Sequence, residues 1–504
     1  FYIPIQLGIS SSQLTNSSAP AMESLRGILR DRGYININAV LFDDYELLDV
    51  YGPMELIAGS NVMPIRESRG KIRITFLSAT ESKTAKPADG VLTMTDVSLA
   101  DASPADVLFV PGGLGTRALQ HDAAFISRLA ELARSASVVL TVCTGSLLLA
   151  ATKLLDGVKA TTNKAAFDEI ASQYPSVKWQ RSARWCVDGQ FYTSSGVAAG
   201  TDLAHFFLRE LFGTEVAKMA STFAELQCSE DAEKDPFAAP QKAFALKNAM
   251  GKTLRLVFVA YDQFEMLDSF GPLEMFAVAN RLLVRRGEPP CFEVMSLAED
   301  AVTKSFGGPY FRVDETLSSV ATSSEKIDLL LLPGGIGTLR EIHNPLFREA
   351  IGKLVSRSER VMTVCTGSAI VAACGLLDGR QATTNKLSFD LMSLFGPKVH
   401  WIPCARWVAD GPFYTSSGVS AGTDLSLVLL REIFGSDLAD ATARQAEYPW
   451  DLADDGTSDP FSHTIPKQTW GQVILTRVQK AVASSVFCFG FALGYKMQIT
   501  QNLV

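Results

Sequence analysis

The chain carries two copies of one sequence pattern. The pentapeptide Val-Cys-Thr-Gly-Ser occupies residues 142–146 and returns unchanged at residues 364–368, an offset of 365 − 143 = 222. The match extends further: Ala-Thr-Thr-Asn-Lys at 160–164 returns at 382–386, and Phe-Tyr-Thr-Ser-Ser-Gly-Val at 191–197 returns at 413–419. A period of about 220 residues is far longer than a solenoid repeat. Each copy is therefore predicted to be a complete globular domain.

The repeat also sets the predicted domain limits. The first domain is predicted to span residues 36–240, and Glu225 supports this extent because Glu447 stands at the same offset in the second copy. A linker follows at 241–252, and the second domain spans 253–463. Residues 1–35 are predicted to be a disordered leader, and residues 464–504 a tail without a counterpart.

Composition narrows the class of protein. Of 504 residues, 47% are hydrophobic and 20% charged, with a net charge of −8, as is typical of a soluble protein. No basic stripe is evident, so no nucleic-acid partner is predicted. Eight cysteines without a Cys-x-x-Cys pair predict free thiols in a reducing compartment, and hence a cytoplasmic location. No cofactor and no metal site are predicted.

The last apolar run of the sequence is short. It covers residues 481–495, whereas a helix that spans a bilayer needs roughly 20 residues. We interpret the run as part of an amphipathic or poorly ordered tail, with a membrane anchor as the alternative.

Apolar runs alternate with helical segments in both copies. Residues 37–42 and 254–259 are predicted to be first strands, and the strands at 106–110 and 328–332 each end in Pro-Gly-Gly. Nearly continuous apolar runs are typical of strands that are covered on both faces. Strands alternating with helices indicate a mainly parallel sheet with helices on both faces. The predicted fold class is therefore α/β, with two such domains in tandem.

Each copy places a cysteine directly after a predicted buried strand and before a helix rich in Ala and Leu. These residues are Cys143 and Cys365. Unpaired amides and the dipole at a helix N-terminus favour a thiolate by about 0.3–1 kcal/mol, so we expect the thiol pKa to be lowered by about one unit. A buried structural cysteine is the alternative. Recurrence at the same junction favours a functional role, because most other cysteines have no cysteine counterpart.

A carboxyl group is the predicted partner of each thiol. No His follows either cysteine, and the five histidines do not align between the copies, which argues against a Cys–His dyad and a protease mechanism. A carboxylate beside a thiolate raises both pKa values unless they share a proton, which suits the shuttling of one proton. An N-cap or first-turn role is the alternative for Asp49, and Asp202 and Asp424 are predicted to be helix-start acids. The acids shared near a strand end are Glu46, Glu265, Asp49 and Asp268.

Together, the repeated motifs resemble the ThiJ/PfpI superfamily, and most closely its isocyanide hydratase branch. They are Leu-Asp-x-x-Gly-Pro at 48–53, Pro-Gly-Gly at 111–113, Cys-Thr-Gly at 143–145, Leu-Leu-Asp-Gly-x-x-Ala-Thr-Thr at 154–162 and Gly-Val-x-Ala-Gly-x-Asp at 196–202. All have partners in the second copy, and the resemblance covers about 400 of the 504 residues. It implies the flavodoxin-like fold that this superfamily shares with class I glutamine amidotransferases.

The resemblance also implies roles for individual residues. Cys143 and Cys365 match the nucleophile, and Asp49 and Asp268 match the acid that replaces a glutamate common elsewhere in the superfamily. The implied reaction is attack of the thiolate on an isocyanide carbon, protonation by the aspartic acid, and release of an N-substituted formamide by water. Backbone amides would stabilise developing charge by about 3 kcal/mol per donor. The other implied site residues are Thr144 and Thr366 after the nucleophile, the amides of Gly113 and Gly335, and the substrate-binding Thr162, Asn163, Thr384 and Asn385.

The substrate stays open at this point. Hydratase-like relatives often have His-Trp after the Thr-Thr pair, whereas both copies here have Asn-Lys. The expected partner is a small-molecule electrophile, and the alternatives are a glyoxalase- or deglycase-like thiol enzyme and a non-enzymatic ligand or redox sensor. Because related single-copy domains form dimers, the two copies are predicted to pack as an intramolecular pseudo-dimer.

Overall fold

Two seven-stranded sheets form the centres of the two copies in the computed structural model. The spatial order of the first sheet, given by the first residue of each strand, is 185, 191, 138, 107, 34, 71 and 97. All neighbouring strands are parallel except the outermost pair that begins at 185 and 191. The residues described are 19–62, 70–88, 90–239, 253–320, 323–450 and 455–465.

The first half contains eleven strands and eight α-helices among these residues. The strands are β1 (Tyr34–Leu41), β2 (Lys71–Ser78), β3 (Thr84–Ala85), β4 (Leu92–Met94), β5 (Val97–Ser98), β6 (Val107–Val110), β7 (Val138–Thr141), β8 (Lys159–Ala160), β9 (Lys178–Trp179), β10 (Trp185–Asp188) and β11 (Phe191–Ser194). The helices are α1 (Ala19–Arg32), α2 (Leu47–Gly59), α3 (Thr116–Leu119), α4 (Ala123–Ser135), α5 (Gly145–Ala151), α6 (Phe167–Gln173), α7 (Val197–Phe212) and α8 (Thr214–Phe223). A 3-10 helix, Ser60–Val62, extends α2.

The described part of the second half repeats this arrangement. Its strands are β12 (Leu254–Val259), β13 (Phe292–Ala298), β14 (Val302–Lys304), β15 (Tyr310–Arg312), β16 (Glu315–Thr316), β17 (Ile327–Leu332), β18 (Ser358–Thr363), β19 (Gln381–Ala382), β20 (His400–Trp401), β21 (Trp407–Asp410) and β22 (Phe413–Ser416). Its helices are α9 (Met266–Val284), α10 (Leu317–Val320), α11 (Thr338–Ile342), α12 (Pro345–Ser356), α13 (Gly367–Ala373), α14 (Phe389–Met392), α15 (Val419–Phe434) and α16 (Ser436–Gln445), with 3-10 helices at Ser393–Phe395 and Ser462–Thr464.

The predicted fold class is confirmed. The strands predicted before the Pro-Gly-Gly turns are β6 and β17, and every residue of β6 is buried, as expected for a strand covered on both faces. The leader is predicted to be disordered, but residues 19–32 of it form helix α1, which buries Met22 and Leu25 in the core. The domain limits remain predictions, and the linker at 241–252 lies outside the described residues.

The two halves contact each other through strands and helices. Strand β15 of the second half pairs antiparallel with β4 of the first, with Phe311 opposite Thr93. Every residue of α2 is buried, and the Tyr51 ring in α2 stacks on the Phe270 ring of α9 with 4.5 Å between centroids. Such apolar burial across the contact stabilises the pair of halves by roughly 25 cal/mol per Å² removed from water.

No helix among the described residues is both long enough and apolar enough to cross a lipid bilayer. The apolar run at 481–495 lies outside those residues.

Candidate functional site

Each cysteine lies on a strained turn between a strand and a helix. Cys143 links β7 to α5 with φ of 55°, and Cys365 links β18 to α13 with φ of 57°. A positive φ is uncommon for a residue with a side chain and persists only where the surroundings enforce it. A Cβ atom at Gly145 would stand 2.2 Å from the Val110 carbonyl oxygen, so only glycine fits directly after this turn. The predicted junction is therefore present in both halves with the geometry of a nucleophile elbow.

Asp49 lies beside Cys143 in a buried site. The carboxyl is in the first turn of α2, and its Oδ2 accepts a hydrogen bond of 2.9 Å from the Gly112 amide. Burial raises the pKa of Asp49 well above its usual range, and the charge of Glu46 raises it further, while the hydrogen bonds with Gly112 and the Cys143 thiol lower it. Burial therefore favours the protonated form of this acid.

The second site has the same arrangement. Asp268 Oδ2 accepts a hydrogen bond of 2.9 Å from the Gly334 amide. Burial and then the charge of Glu265 raise the pKa of Asp268, which also interacts with the Cys365 thiol. The structure therefore brings together the two predicted cysteine–aspartate pairs.

The expectation of a lowered thiol pKa is wrong for both cysteines. Burial raises the pKa of Cys143 well above its usual range, and the charges of Asp49 and Glu46 raise it further, while the hydrogen bond from the Thr144 amide lowers it. Burial likewise raises the pKa of Cys365. The helix that follows each cysteine has only seven residues. Its dipole is outweighed because full burial can shift a pKa by about 3–5 units.

The threonine after each cysteine engages the facing glycine loop. Thr144 Oγ1 accepts a hydrogen bond of 3.0 Å from the Gly113 amide, and Thr366 Oγ1 accepts one of 3.0 Å from the Gly335 amide. Both glycine amides were predicted to stabilise charge on a substrate. A substrate oxygen or carbon would have to displace the threonine hydroxyl to reach them.

The second threonine of each Thr-Thr-Asn-Lys segment donates a hydrogen bond to the cysteine turn. Thr162 Oγ1 donates to the Cys143 carbonyl oxygen at 3.1 Å, and Thr384 Oγ1 donates to that of Cys365 at 3.0 Å. Asn163 and Asn385 are buried, and the side-chain Nδ2 of Asn385 donates to Glu225 Oε1 at 2.7 Å. Direct contact of these four residues with a substrate stays a prediction.

The lysine that follows Thr-Thr-Asn in each copy makes hydrogen bonds within its own half. Lys164 Nζ donates to the Ala183 carbonyl oxygen at 2.7 Å and to Thr161 Oγ1 at 2.8 Å. Lys386 Nζ makes the equivalent contacts with Ala405 and Thr383. Burial lowers the pKa of Lys386 to about 8. These contacts hold each amine against the backbone of its own half.

Glutamates exchanged between the halves complete both sites. Glu447 of the second half accepts hydrogen bonds from the Lys164 amide, from Ser195 Oγ at 2.5 Å and from the Gly196 amide at 2.7 Å in the first. Ser195 in turn accepts a hydrogen bond of 2.8 Å from the Cys143 amide through its carbonyl oxygen. The cysteine turn of the first half is therefore fixed by a carboxyl group of the second.

Glu225 makes the reciprocal contacts. Its carboxyl accepts from the Lys386 amide at 2.6 Å, from Ser417 Oγ at 2.7 Å and from the Gly418 amide at 2.7 Å. Burial raises the pKa of both glutamates, and their hydrogen bonds with serine and backbone donors lower it. The offset of 222 residues between Glu225 and Glu447 is visible in the sequence, but it does not indicate that each carboxyl group reaches the other half.

A second exchange caps the helices that carry the aspartates. Glu274 Oε2, from α9, accepts a hydrogen bond of 2.8 Å from the Leu47 amide at the start of α2. Glu55, from α2, accepts one from the Leu267 amide at the start of α9. A carboxylate at a helix N-terminus satisfies amides that lack a partner within the helix. Each half thus contributes two carboxyl groups to the site of the other.

A cavity of about 540 Å³ lies between the halves and is lined by equivalent residues of both. Two buried ion pairs line it: Arg184 Nε to Asp202 Oδ2 at 2.6 Å, and Arg406 to Asp424 at 2.6 Å. The prediction of helix-start acids is wrong, because Asp202 and Asp424 lie beyond the first turn of their helices and pair with arginine. Within the described ranges, no cluster of three His, Cys, Asp or Glu side chains is placed to hold a metal ion.

The fold and the site define a class of α/β protein with a cysteine on a strained strand–helix turn and a carboxylic acid beside it. The profile of the DJ-1/PfpI family matches residues 36–210 and 255–432. The chain belongs to this family and contains two copies of its domain.

Several relatives are similar to one or both halves. Isonitrile hydratase of Pseudomonas putida is 30% identical over 209 residues, which are 41% of this chain and 84% of that protein. Protein DJ-1 homolog A of Arabidopsis thaliana is 22% identical over 393 residues, covering 77% of this chain and 93% of the relative. The HTH-type transcriptional regulator CdhR of Pseudomonas aeruginosa is 32% identical over 121 residues, 24% of this chain and 35% of the regulator.

A solved structure of a ThiJ/PfpI family protein from Pseudomonas syringae is similar to part of the chain. It has a TM-score of 0.37 and 23% identity, and the match covers 49% of this chain and 94% of that one.

Proposed function

We propose that this protein is a cysteine-dependent hydro-lyase that adds water to an isocyanide or a similar small electrophile. The product from an isocyanide is an N-substituted formamide. The observation that carries the proposal is a buried aspartic acid, and not a histidine, beside the cysteine in each half. The similarity to isonitrile hydratase of Pseudomonas putida supports the same reaction class.

The chemistry follows from one proton shared between carboxyl and thiol. Cys143 sulfur bonds to the isocyanide carbon, and the thiol proton passes through Asp49 to that same carbon, which gives a thioimidate. Water then adds to the carbon–nitrogen double bond, with its protons going to nitrogen and sulfur. The carbon–sulfur bond breaks, the thiol is regenerated and the formamide leaves. Asp268 and Cys365 would perform the same steps in the second half.

The low exposure of both thiols counts against the redox-sensor alternative. Oxidation of cysteine proceeds through an accessible thiolate, whereas Cys143 is only 7% exposed and Cys365 8%. An acid that protonates a carbon atom instead needs the high pKa that burial gives Asp49. The contacts between the halves also support the predicted intramolecular pseudo-dimer.

The test is formamide production from an alkyl isocyanide and an aryl isocyanide, followed by mass spectrometry. We expect turnover by the full chain, partial loss in Cys143→Ala and Cys365→Ala, and complete loss in the double variant. Cys186→Val is the matched control, because Val408 stands at the equivalent position of the second half. A wild-type protein that forms no formamide would disprove the hydratase proposal, and activity in the double variant would disprove the cysteine mechanism.

A further inference from the structure

A pair of glutamates lies next to each cysteine–aspartate site. In the first site the pair is Glu46, at the start of α2, and Glu274, which crosses from α9. The guanidinium of Arg281 donates to Oε1 of both, at 3.0 Å for Glu274. This site therefore has one positive charge in direct contact with two carboxyl groups.

The equivalent pair in the second site is Glu265, at the start of α9, and Glu55, which crosses from α2. Their carboxyl groups are hydrogen-bonded to each other, as those of Glu46 and Glu274 also are. Val62 stands where Arg281 would be, since 281 − 62 and 274 − 55 both equal 219. Neither glutamate of this pair forms an ion pair with a Lys or Arg of the described ranges, and Glu265 Oε1 and Glu55 Oε2 accept no other hydrogen bond there.

The two pairs therefore differ in the cation that compensates their charge. Two buried carboxyl groups in contact cannot both ionise without a large cost, unless a cation compensates them. Burial raises the pKa of Glu55 and of Glu265, and it also raises that of Glu274, which Arg281 partly lowers again. The charge of Glu265 acts on Asp268, as the charge of Glu46 acts on Asp49.

We propose that Arg281 makes the two cysteine sites chemically unequal. It fixes the charge of the carboxyl pair behind Cys143, whereas the pair behind Cys365 takes up and releases a proton. The groups that face one another in the first site are Asp49, Cys143, Glu46, Glu274, Arg281 and Glu447, and those in the second are Asp268, Cys365, Glu265, Glu55 and Glu225. The consequence for catalysis rests on the proposed function, but the consequence for thiol reactivity does not.

The direction follows from the sign of the charges. As pH rises, the second pair loses its shared proton and adds a negative charge near Cys365, which opposes ionisation of that thiol. In the first pair the guanidinium offsets the carboxylate. Cys143 is therefore expected to become reactive at a pH lower by about one unit than Cys365, as one neighbouring charge typically produces.

The experiment measures alkylation of each cysteine in the full-length protein. Iodoacetamide is applied in short pulses from about pH 6 to about pH 10, and the modified peptides are quantified by mass spectrometry. Arg281→Val is expected to move the Cys143 profile up by about one pH unit and to leave Cys365 in place. Val62→Arg, at a position 49% exposed, is expected to move the Cys365 profile down instead.

Two further variants keep the proposal falsifiable. Arg281→Lys retains the charge and is expected to retain the wild-type Cys143 profile, and the exchange variant Arg281→Val with Val62→Arg is expected to reverse the order of the two cysteines. An unchanged Cys143 profile in Arg281→Val, or an equal shift of both cysteines, would overturn the proposal. The formamide assay on the same samples separates this result from failure of the hydratase proposal, because alkylation needs no turnover.

Discussion

Replacement of Glu447 tests whether each site depends on the opposite half. The carboxyl accepts hydrogen bonds from three buried donors, on Lys164, Ser195 and Gly196. In Glu447→Gln, one accepting oxygen becomes a donating NH₂ group, so at least one backbone amide loses its partner. A buried donor without an acceptor costs about 1–3 kcal/mol, and the remaining hydrogen bonds lose their charge assistance. We expect the free energy of unfolding to fall by about 2–4 kcal/mol, against a typical total of 5–15 kcal/mol.

The same change should reach the cysteine. The Ser195 carbonyl oxygen accepts a hydrogen bond of 2.8 Å from the Cys143 amide, so displacement of residues 195–196 moves Cys143. A misplacement of about 1 Å can cost about 100-fold in rate, and we expect kcat to fall about 10- to 100-fold with a smaller change in KM. The assay is formamide formation in a Cys365→Ala background, well below the unfolding temperature, where only the first site contributes.

The matched control is Glu225→Gln in the same background. This variant loses the equivalent hydrogen bonds, but they belong to the second site. It should lower stability by a similar amount and leave Cys143-dependent kcat nearly unchanged. Equal losses of kcat from the two variants would refute the reasoning, because they would indicate a general effect of stability.

Three further changes give distinct outcomes. The pKa of Asp49 is raised in the folded state, so the Asp49 carboxyl favours folding at low pH. This stabilisation is lost as pH rises from about 4 through the raised pKa, and the thermal unfolding temperature should fall with it. Asp49→Asn should flatten this fall in unfolding temperature. Gly196→Ala would place a Cβ atom 2.4 Å from the carboxyl carbon of Glu447, so it should lower the free energy of unfolding by about 2–4 kcal/mol in urea titrations. Its control is Gly352→Ala, which has open space around the added Cβ atom and should raise the free energy of unfolding by up to about 1 kcal/mol. Arg184→Met leaves Asp202 as an unpaired buried charge and should cost about 3–5 kcal/mol, measured by urea unfolding; a loss below 1 kcal/mol would contradict the structural role of this pair.

The local part of the site could be predicted from sequence. A strand, a cysteine and a helix follow one another along the chain, so the turn that presents Cys143 is encoded by adjacent residues. Asp49 comes from a distant segment, but the repeated Leu-Asp-x-x-Gly-Pro motif indicated its place. The thiol pKa could not be predicted, because it depends on burial that only the packed structure defines.

The contacts between the halves were beyond sequence reasoning. The hydrogen bonds of Glu447 to Ser195 and Gly196 span about 250 residues along the chain and exist only because the halves pack together. Glu225 and Glu447 also both have a positive φ, of 47° and 49°. The residue pattern does not predict this conformation. The shared offset was visible, but periodicity alone does not assign a partner.

The exchanged glutamates constrain how this duplicated gene can diverge. If the second site lost its function, Cys365 would be free to change, but Glu447 and Glu274 in the same half would still be needed at the site of Cys143. Selection for the first activity would therefore preserve much of the second half, including its packing, long after its own chemistry had gone. Separation of the two copies into independent genes would require each product to find a second copy of itself that supplies the missing carboxyl groups.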